Sequence, residues 1–132
     1  MKRKVSFDFD STLDKPSIQT FAKQLVNLGF EVWIVTTRLD NQQAPSIRWN
    51  DDLLTVANDV GINLQHIHWT NGADKWLFLK DKGFAFHIDD DWYELKHIQK
   101  NIKGTKAISS FGNPKWKYKC VKALNMKMID FK

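Results

Sequence analysis

The feature that most constrains the fold is an alternation of short β-rich runs with amphipathic helical segments, sustained along the 132 residues. Val5-Ser6-Phe7-Asp8-Phe9 reads as a strand with Val5, Phe7 and Phe9 on one face. Pro16 and Ser17 open a helix carrying Ile18, Phe21, Ala22, Leu25, Val26 and Leu28, with Gly29 as its left-handed stop. Val32-Trp33-Ile34-Val35 is an unbroken apolar run, the pattern of a strand covered on both faces. A polar loop from Thr37 to Pro45 follows, and Ser46 is expected to cap a helix through Leu53, Leu54, Val56 and Ala57 that Gly61 ends. Leu64 to Trp69 reads as a third strand. Residues 71–74 start a helix through Trp76, Leu77 and Leu79, closed by Gly83, and Phe84 to Ile88 is a fourth strand. A helix over Trp92–Lys100, a fifth strand over Thr105–Ile108 and a last helix over Lys115–Leu124, opened by Asn113-Pro114, complete the pattern.

This order predicts an α/β fold: a three-layer, Rossmann-like sandwich around a mainly parallel five-stranded sheet. The length matches one domain over residues 1–132, large enough for a core without staples. Neither a repeat nor a linker interrupts it. Apolar runs fall short of the ~18 residues a membrane span needs, so no membrane association is expected. The basic start Met1-Lys2-Arg3-Lys4 is followed at once by Asp8 and Asp10, unlike a signal peptide. The single Cys120 cannot form an internal disulfide, which fits a reducing, cytoplasmic setting.

In parallel sheets the site lies beyond the carboxyl ends of the strands, where strand order reverses. The residues at those ends are Asp8 and Asp10, then Thr36, Thr37 and Arg38, then Asp89, Asp90 and Asp91; Lys75 opens the helix before the fourth strand. Carboxylates gathered at close range repel one another, and a divalent cation resolves the conflict. Oxygen ligands favour Mg²⁺, and no Cys/His cluster offers a competing zinc site. Asp8 is then a candidate carboxylate nucleophile on phosphorus, and Asp10 a candidate acid and base for the two half-reactions. Thr36, Thr37, Lys75 and Arg38 are candidates to hold phosphate oxygens. An ion pair between Arg38 and Asp40 or Asp51 is the structural alternative for that arginine.

These residues resemble the haloacid-dehalogenase superfamily of phosphotransferases. Its four motifs read here as Val5-Ser6-Phe7-Asp8-Phe9-Asp10-Ser11-Thr12-Leu13, Val32-Trp33-Ile34-Val35-Thr36, Lys75, and Phe86-His87-Ile88-Asp89-Asp90, over residues 4–91. The resemblance implies Asp8 as nucleophile and metal ligand, and Asp10 as acid/base that binds Mg²⁺ through its backbone carbonyl. Thr36 and Lys75 are implied to bind phosphate, and Asp89 or Asp90 the metal. Asp10 argues for phosphoryl transfer over dehalogenation. Phe9 stands where P-type ATPases carry Lys. The segments after the first and second strands are too short for the family's cap domain. An open site suits large substrates or takes its lid from a second copy of the chain.

Charge is unevenly spread. Residues 1–95 carry 10 Lys+Arg against 14 Asp+Glu, a net of −4, whereas residues 96–132 carry 10 Lys against Asp130, a net of +9. A basic last third predicts an anionic partner, nucleic acid foremost. Lys115, Lys119 and Lys122 would form a stripe on the last helix, with Cys120 buried on its other flank. Trp33 and Trp76 read as core. Trp49, Trp69, Trp92 and Trp116 lie near loops or helix starts, and Trp69 and Trp92, at the carboxyl edge, are the best placed to stack a base. His66 and His68 share a strand face but lack a third ligand, and His87 reads as structural. The expectation is an Mg²⁺-dependent phosphomonoesterase acting on a small phosphate ester, a nucleotide or a nucleic-acid terminus. The alternatives are a nucleic-acid-binding module with a vestigial site, or a phosphatase or phosphotransfer domain for a protein partner.

Overall fold

The computed structural model describes residues 3–131. Its sheet has five strands: β1 (Lys4–Phe7), β2 (Glu31–Thr36), β3 (Ile67–Trp69), β4 (Phe84–Asp89) and β5 (Lys106–Ser109). All pairings are parallel, in the order β3-β2-β1-β4-β5. The helices are α1 (Pro16–Asn27), α2 (Asp51–Val60), α3 (Lys75–Leu79), α4 (Trp92–Asn101) and α5 (Trp116–Ala123). The α/β sandwich read from the alternation is the fold of the chain. No helix among the described residues is long and apolar enough to cross a membrane.

Side-chain alternation along the strands splits the core in two. On one face Val5, Phe7, Val32, Ile34, Phe86 and Ile88 meet Phe21 and Leu25 of α1, Leu53 and Ala57 of α2, and Cys120 and Val121 of α5. Phe7 stands edge-on to Phe86, with centroids 5.8 Å apart. The opposite face has a much smaller apolar cluster, Val35, Leu79, Phe84 and Ile98, backed by Trp33, Trp76 and Phe78. His66 and His68 lie here as well. They stack on Trp33 and Phe78 at 4.8 and 3.7 Å, so packing accounts for both imidazoles.

Several boundaries differ from the sequence reading. β1 stops at Phe7, because the chain then enters a wide turn closed by Leu13 N–H donating to Asp8 O and Asp14 N–H donating to Phe9 O. Residues 37–50 form one long loop, and α2 starts at Asp51 rather than after Ser46. The Ser46 hydroxyl accepts from Arg48 N–H and closes a local turn instead of capping a helix. Asn50, at the true cap position, donates to Leu39 O and Asn41 Oδ1 and so anchors the loop. Leu64–His66 is a single 3₁₀ turn ahead of a shorter β3. α3 ends at Leu79, before the turn through Asp81 and Gly83. Asn113 closes a turn on Lys115 N–H, and α5 begins one residue later than expected.

Candidate functional site

The chain runs from β1 out to β2 and β3, then returns to β4 and β5 on the other side of β1. Strand order therefore reverses between β1 and β4, and the candidate residues gather there. Register does the first part of the placement. Phe7 pairs with Ile88, and Asp8 N–H donates to Ile88 O at 2.9 Å. Asp8 and Asp89 thus leave adjacent strands at one level, and period two puts both on the face covered by α3 and α4. Phe9 turns back into the core, 1% exposed, which leaves Asp8 and Asp10 at the rim on either side of it. Ser11 takes φ +59°, a left-handed conformation that a serine adopts at a cost and that lets the chain turn directly behind Asp10.

Carboxylate oxygens of Asp8, Asp89 and Asp90 all lie within 4.8 Å of one another. Lys75, 2% exposed, inserts its ammonium between two of them, 2.7 Å from Asp8 Oδ1 and 2.6 Å from Asp89 Oδ2. It reaches them because α3 is short and Lys75 is its first residue. Its backbone N–H donates to Glu94 Oε1 at 3.2 Å. Asp89 Oδ2 also meets His87 Nε2 at 2.8 Å, and His87 Nδ1 meets Ser6 Oγ at 2.8 Å. A buried polar seam, Ser6–His87–Asp89–Lys75–Asp8, therefore runs up this face of the sheet to its carboxyl edge.

The electrostatics follow from this crowding. Burial drives the Asp8 carboxyl up to about 9; the Lys75 charge opposes that rise, and the neighbouring Asp89 charge adds to it. Burial also works against the charged form of Asp89, but its hydrogen bonds from His87 and Lys75 outweigh it and hold Asp89 well below the usual carboxylate range. Burial keeps the His87 imidazole neutral, below its ordinary value. Burial raises Glu94. Three carboxylates against one ammonium leave two negative charges in excess, and all the donors are oxygen. That set fits Mg²⁺, which takes carboxylates and keeps waters, rather than a soft or tetrahedral metal.

The remaining candidates are placed differently from one another. Asp10 lines the same cavity, of about 430 Å³, but its carboxylate is turned toward Arg38. Arg38 grips it with Nε and NH2 at 3.0 and 2.7 Å, and grips Asp52 with NH1 and NH2 at 2.7 and 2.9 Å. The acid opposite Arg38 is thus Asp52, not Asp40 or Asp51, because the first turn of α2 brings residue 52 over the loop. Thr37 lines the cavity, whereas Thr36 does not. Alternation puts Thr36 with Val32 and Ile34, 1% exposed, and its hydroxyl accepts from Arg38 N–H at 3.2 Å. Asp91 caps α4 through Tyr93 N–H. Trp92, 72% exposed, lines the cavity, and Trp49, 50% exposed, lines an adjoining one with Asp10, Thr37 and Arg38. Trp69 packs against the core instead.

Ser6 and Glu94 were not singled out by sequence, and His87 was given only a structural role. One signal was available for two of them: Ser6 and His87 are polar residues inside otherwise apolar strands, each two positions before a candidate aspartate and so on its face. Glu94 carries no such signal, since an acid in the first turn of a helix is commonplace. Compared with protein-family models, with curated proteins and with solved structures, the chain matches none.

Proposed function

We propose that the chain is an Mg²⁺-dependent phosphomonoester hydrolase of the haloacid-dehalogenase type. The observation that carries this reading is the convergence of Asp8, Asp89 and Asp90 on one point, with the buried Lys75 ammonium between Asp8 and Asp89. Asp8, Asp89 and Asp90 would hold the cation, which would offset their excess charge and that of the phosphoryl oxygens.

The rest of the chemistry belongs to the side chains. An Asp8 oxygen attacks phosphorus, and the bond to the ester oxygen breaks as the aspartyl-phosphate forms. Asp10 gives a proton to the departing ester oxygen. To do so it turns from Arg38 into the cavity that it already lines. In the second half-reaction Asp10 takes a proton from a water that attacks the aspartyl-phosphate, releasing inorganic phosphate and restoring the Asp8 carboxylate. Lys75 orients Asp8 and carries positive charge toward the transferring oxygens; the Thr37 hydroxyl is placed to donate to one of them. Exposed Trp92 and Trp49 at the cavity mouths favour a substrate with a flat leaving group, a nucleotide or a nucleic-acid terminus.

The test is release of phosphate from an aryl phosphate with Mg²⁺. Wild type turns over and EDTA abolishes it. Asp8→Asn loses activity by at least about a thousandfold, the scale expected when a covalent nucleophile is removed. Full activity in Asp8→Asn would reject the assignment.

A further inference from the structure

A second cavity lies at the opposite edge of the sheet. At about 620 Å³ it is larger than either of those beside the carboxylates, and it is lined by the amino ends of β1 and β4 and the loop before β5. β4 carries one extra residue against β1 here: Lys4 pairs with Phe84, but Ser6 pairs with His87. This bulge re-aims the start of the strand at the cavity wall.

The wall is strongly basic. Arg3, Lys4, Lys80, Lys82 and Lys103 surround it, with Asp81 as its one acid. Among the described residues, none of the five cations lies within ion-pair distance of a carboxylate. They are tied to neutral groups instead. Lys4 donates to Lys82 O, Lys82 to Phe78 O, and Arg3 to Leu124 O, while Lys80 sits over the Trp76 ring. Such contacts fix the cations at the rim without cancelling their charge. A concave wall of one sign focuses its field into the cavity and attracts a polyanion.

The basic wall continues beyond this cavity. Thr105, at its border, leads directly into Lys106 of β5, and a second cavity of about 410 Å³ follows, bounded by Lys106, Lys119 and Lys122 around Tyr118. Arg3 joins the two, since its guanidinium holds the carbonyl at the end of α5. Lys119 and Lys122 face β5 here, so the stripe expected on the last helix lies away from the carboxylate site. Tyr118 is 47% exposed, and Ala107 and Ile108 form an apolar floor beside it. Cations along a track, with an exposed aromatic ring beside it, match a phosphodiester backbone with a base to stack.

We propose that this track, from the cavity at the amino edge to the α5–β5 groove, binds the backbone of a single-stranded nucleic acid. It does not use the carboxylate site and stands independently of the hydrolase reading.

The probe is a fluorescent single-stranded oligonucleotide of about ten nucleotides, within the usual span for such sites, with hydroxyls at both ends so that no terminal phosphate is offered. Anisotropy is measured across a salt series. Lys82→Glu/Lys103→Glu and, separately, Lys119→Glu/Lys122→Glu each weaken binding at least about tenfold and flatten the salt slope by about two. The matched control Lys15→Glu/Lys23→Glu, on α1, changes affinity less than about threefold. The corresponding Gln pairs, which add no acids, show smaller losses in the same order, and circular dichroism checks each fold. Asp8→Asn binds as wild type does, which separates this result from the fate of the hydrolase reading. Absence of wild-type binding overturns the proposal, as does an equal loss in the control. Displacement of the probe by inorganic tripolyphosphate, with Lys119→Glu/Lys122→Glu unaffected, also overturns it, because the site would then hold a compact anion rather than a strand.

Discussion

The two faces of the sheet are built from the same five strands yet do different work. The α1/α2/α5 face is packed almost wholly by apolar side chains, with Phe7, Phe21, Phe86 and Phe131 near its centre. The α3/α4 face has four buried apolar residues and the polar seam from Ser6 to Asp8. Apolar burial is non-directional and accumulates with area. A buried ion and hydrogen-bond network contributes little net stability, because desolvation offsets attraction, but it fixes geometry. One face therefore supplies most of the stability, and the other holds charged groups within ångströms of one another.

Substitutions on the two faces should separate these roles. Phe21→Ala, which removes a ring packed on Phe7, Trp116 and Phe131, should cost about 3–5 kcal/mol in urea unfolding. The fraction that remains folded should hydrolyse phosphate at the wild-type rate. A specific rate that falls in step with stability would mean that the faces are not separable. His87→Leu, which strips Ser6 and Asp89 of a partner, should cost about 1–3 kcal/mol. Here kcat should fall tenfold or more with KM little changed, and His87→Gln should recover part of it. Unchanged kcat would make His87 packing alone. Ser6→Ala, one hydrogen bond further from the site, should cost about 1 kcal/mol and lower kcat less.

The smallest effect concerns His68, stacked on Phe78. Burial first, and Lys82 second, hold its imidazole below the ordinary range. The fold thus favours the neutral ring, so this contribution is present above the unfolded histidine value near about 6.5 and fades as pH falls through it. Stability measured between pH 7 and 5 should decline slightly more in wild type than in His68→Gln. The opposite ordering would contradict the placement of that ring.

Legibility in the sequence followed the same division. Strand and helix order, and the apolar face, could be read because period-two and period-3.6 patterns are properties of neighbouring residues. The strand-end acids could be read because a parallel sheet delivers those ends to one edge. Three features could not. The wide turn after Phe7, with Ser11 at positive φ, depends on hydrogen bonds across the turn that no local pattern announces. The Arg38 fork on Asp10 and Asp52 joins side chains from three segments, and only the loop conformation selects Asp52 over Asp51. The amino-edge basic cavity draws Arg3, Lys80 and Lys103 from distant parts of the chain, so a count of charge by thirds pointed to the last third alone.

The centre of the account is that Asp8, at the top of the polar face, attacks phosphorus. Acid-quenched turnover with Mg²⁺ and an aryl phosphate, followed by borohydride reduction and peptide mapping, tests it directly, since borohydride converts an aspartyl acyl phosphate to homoserine. The account predicts homoserine at position 8 of the wild-type chain and nowhere in Asp8→Asn. Turnover with the label at another residue, or with none, would contradict it.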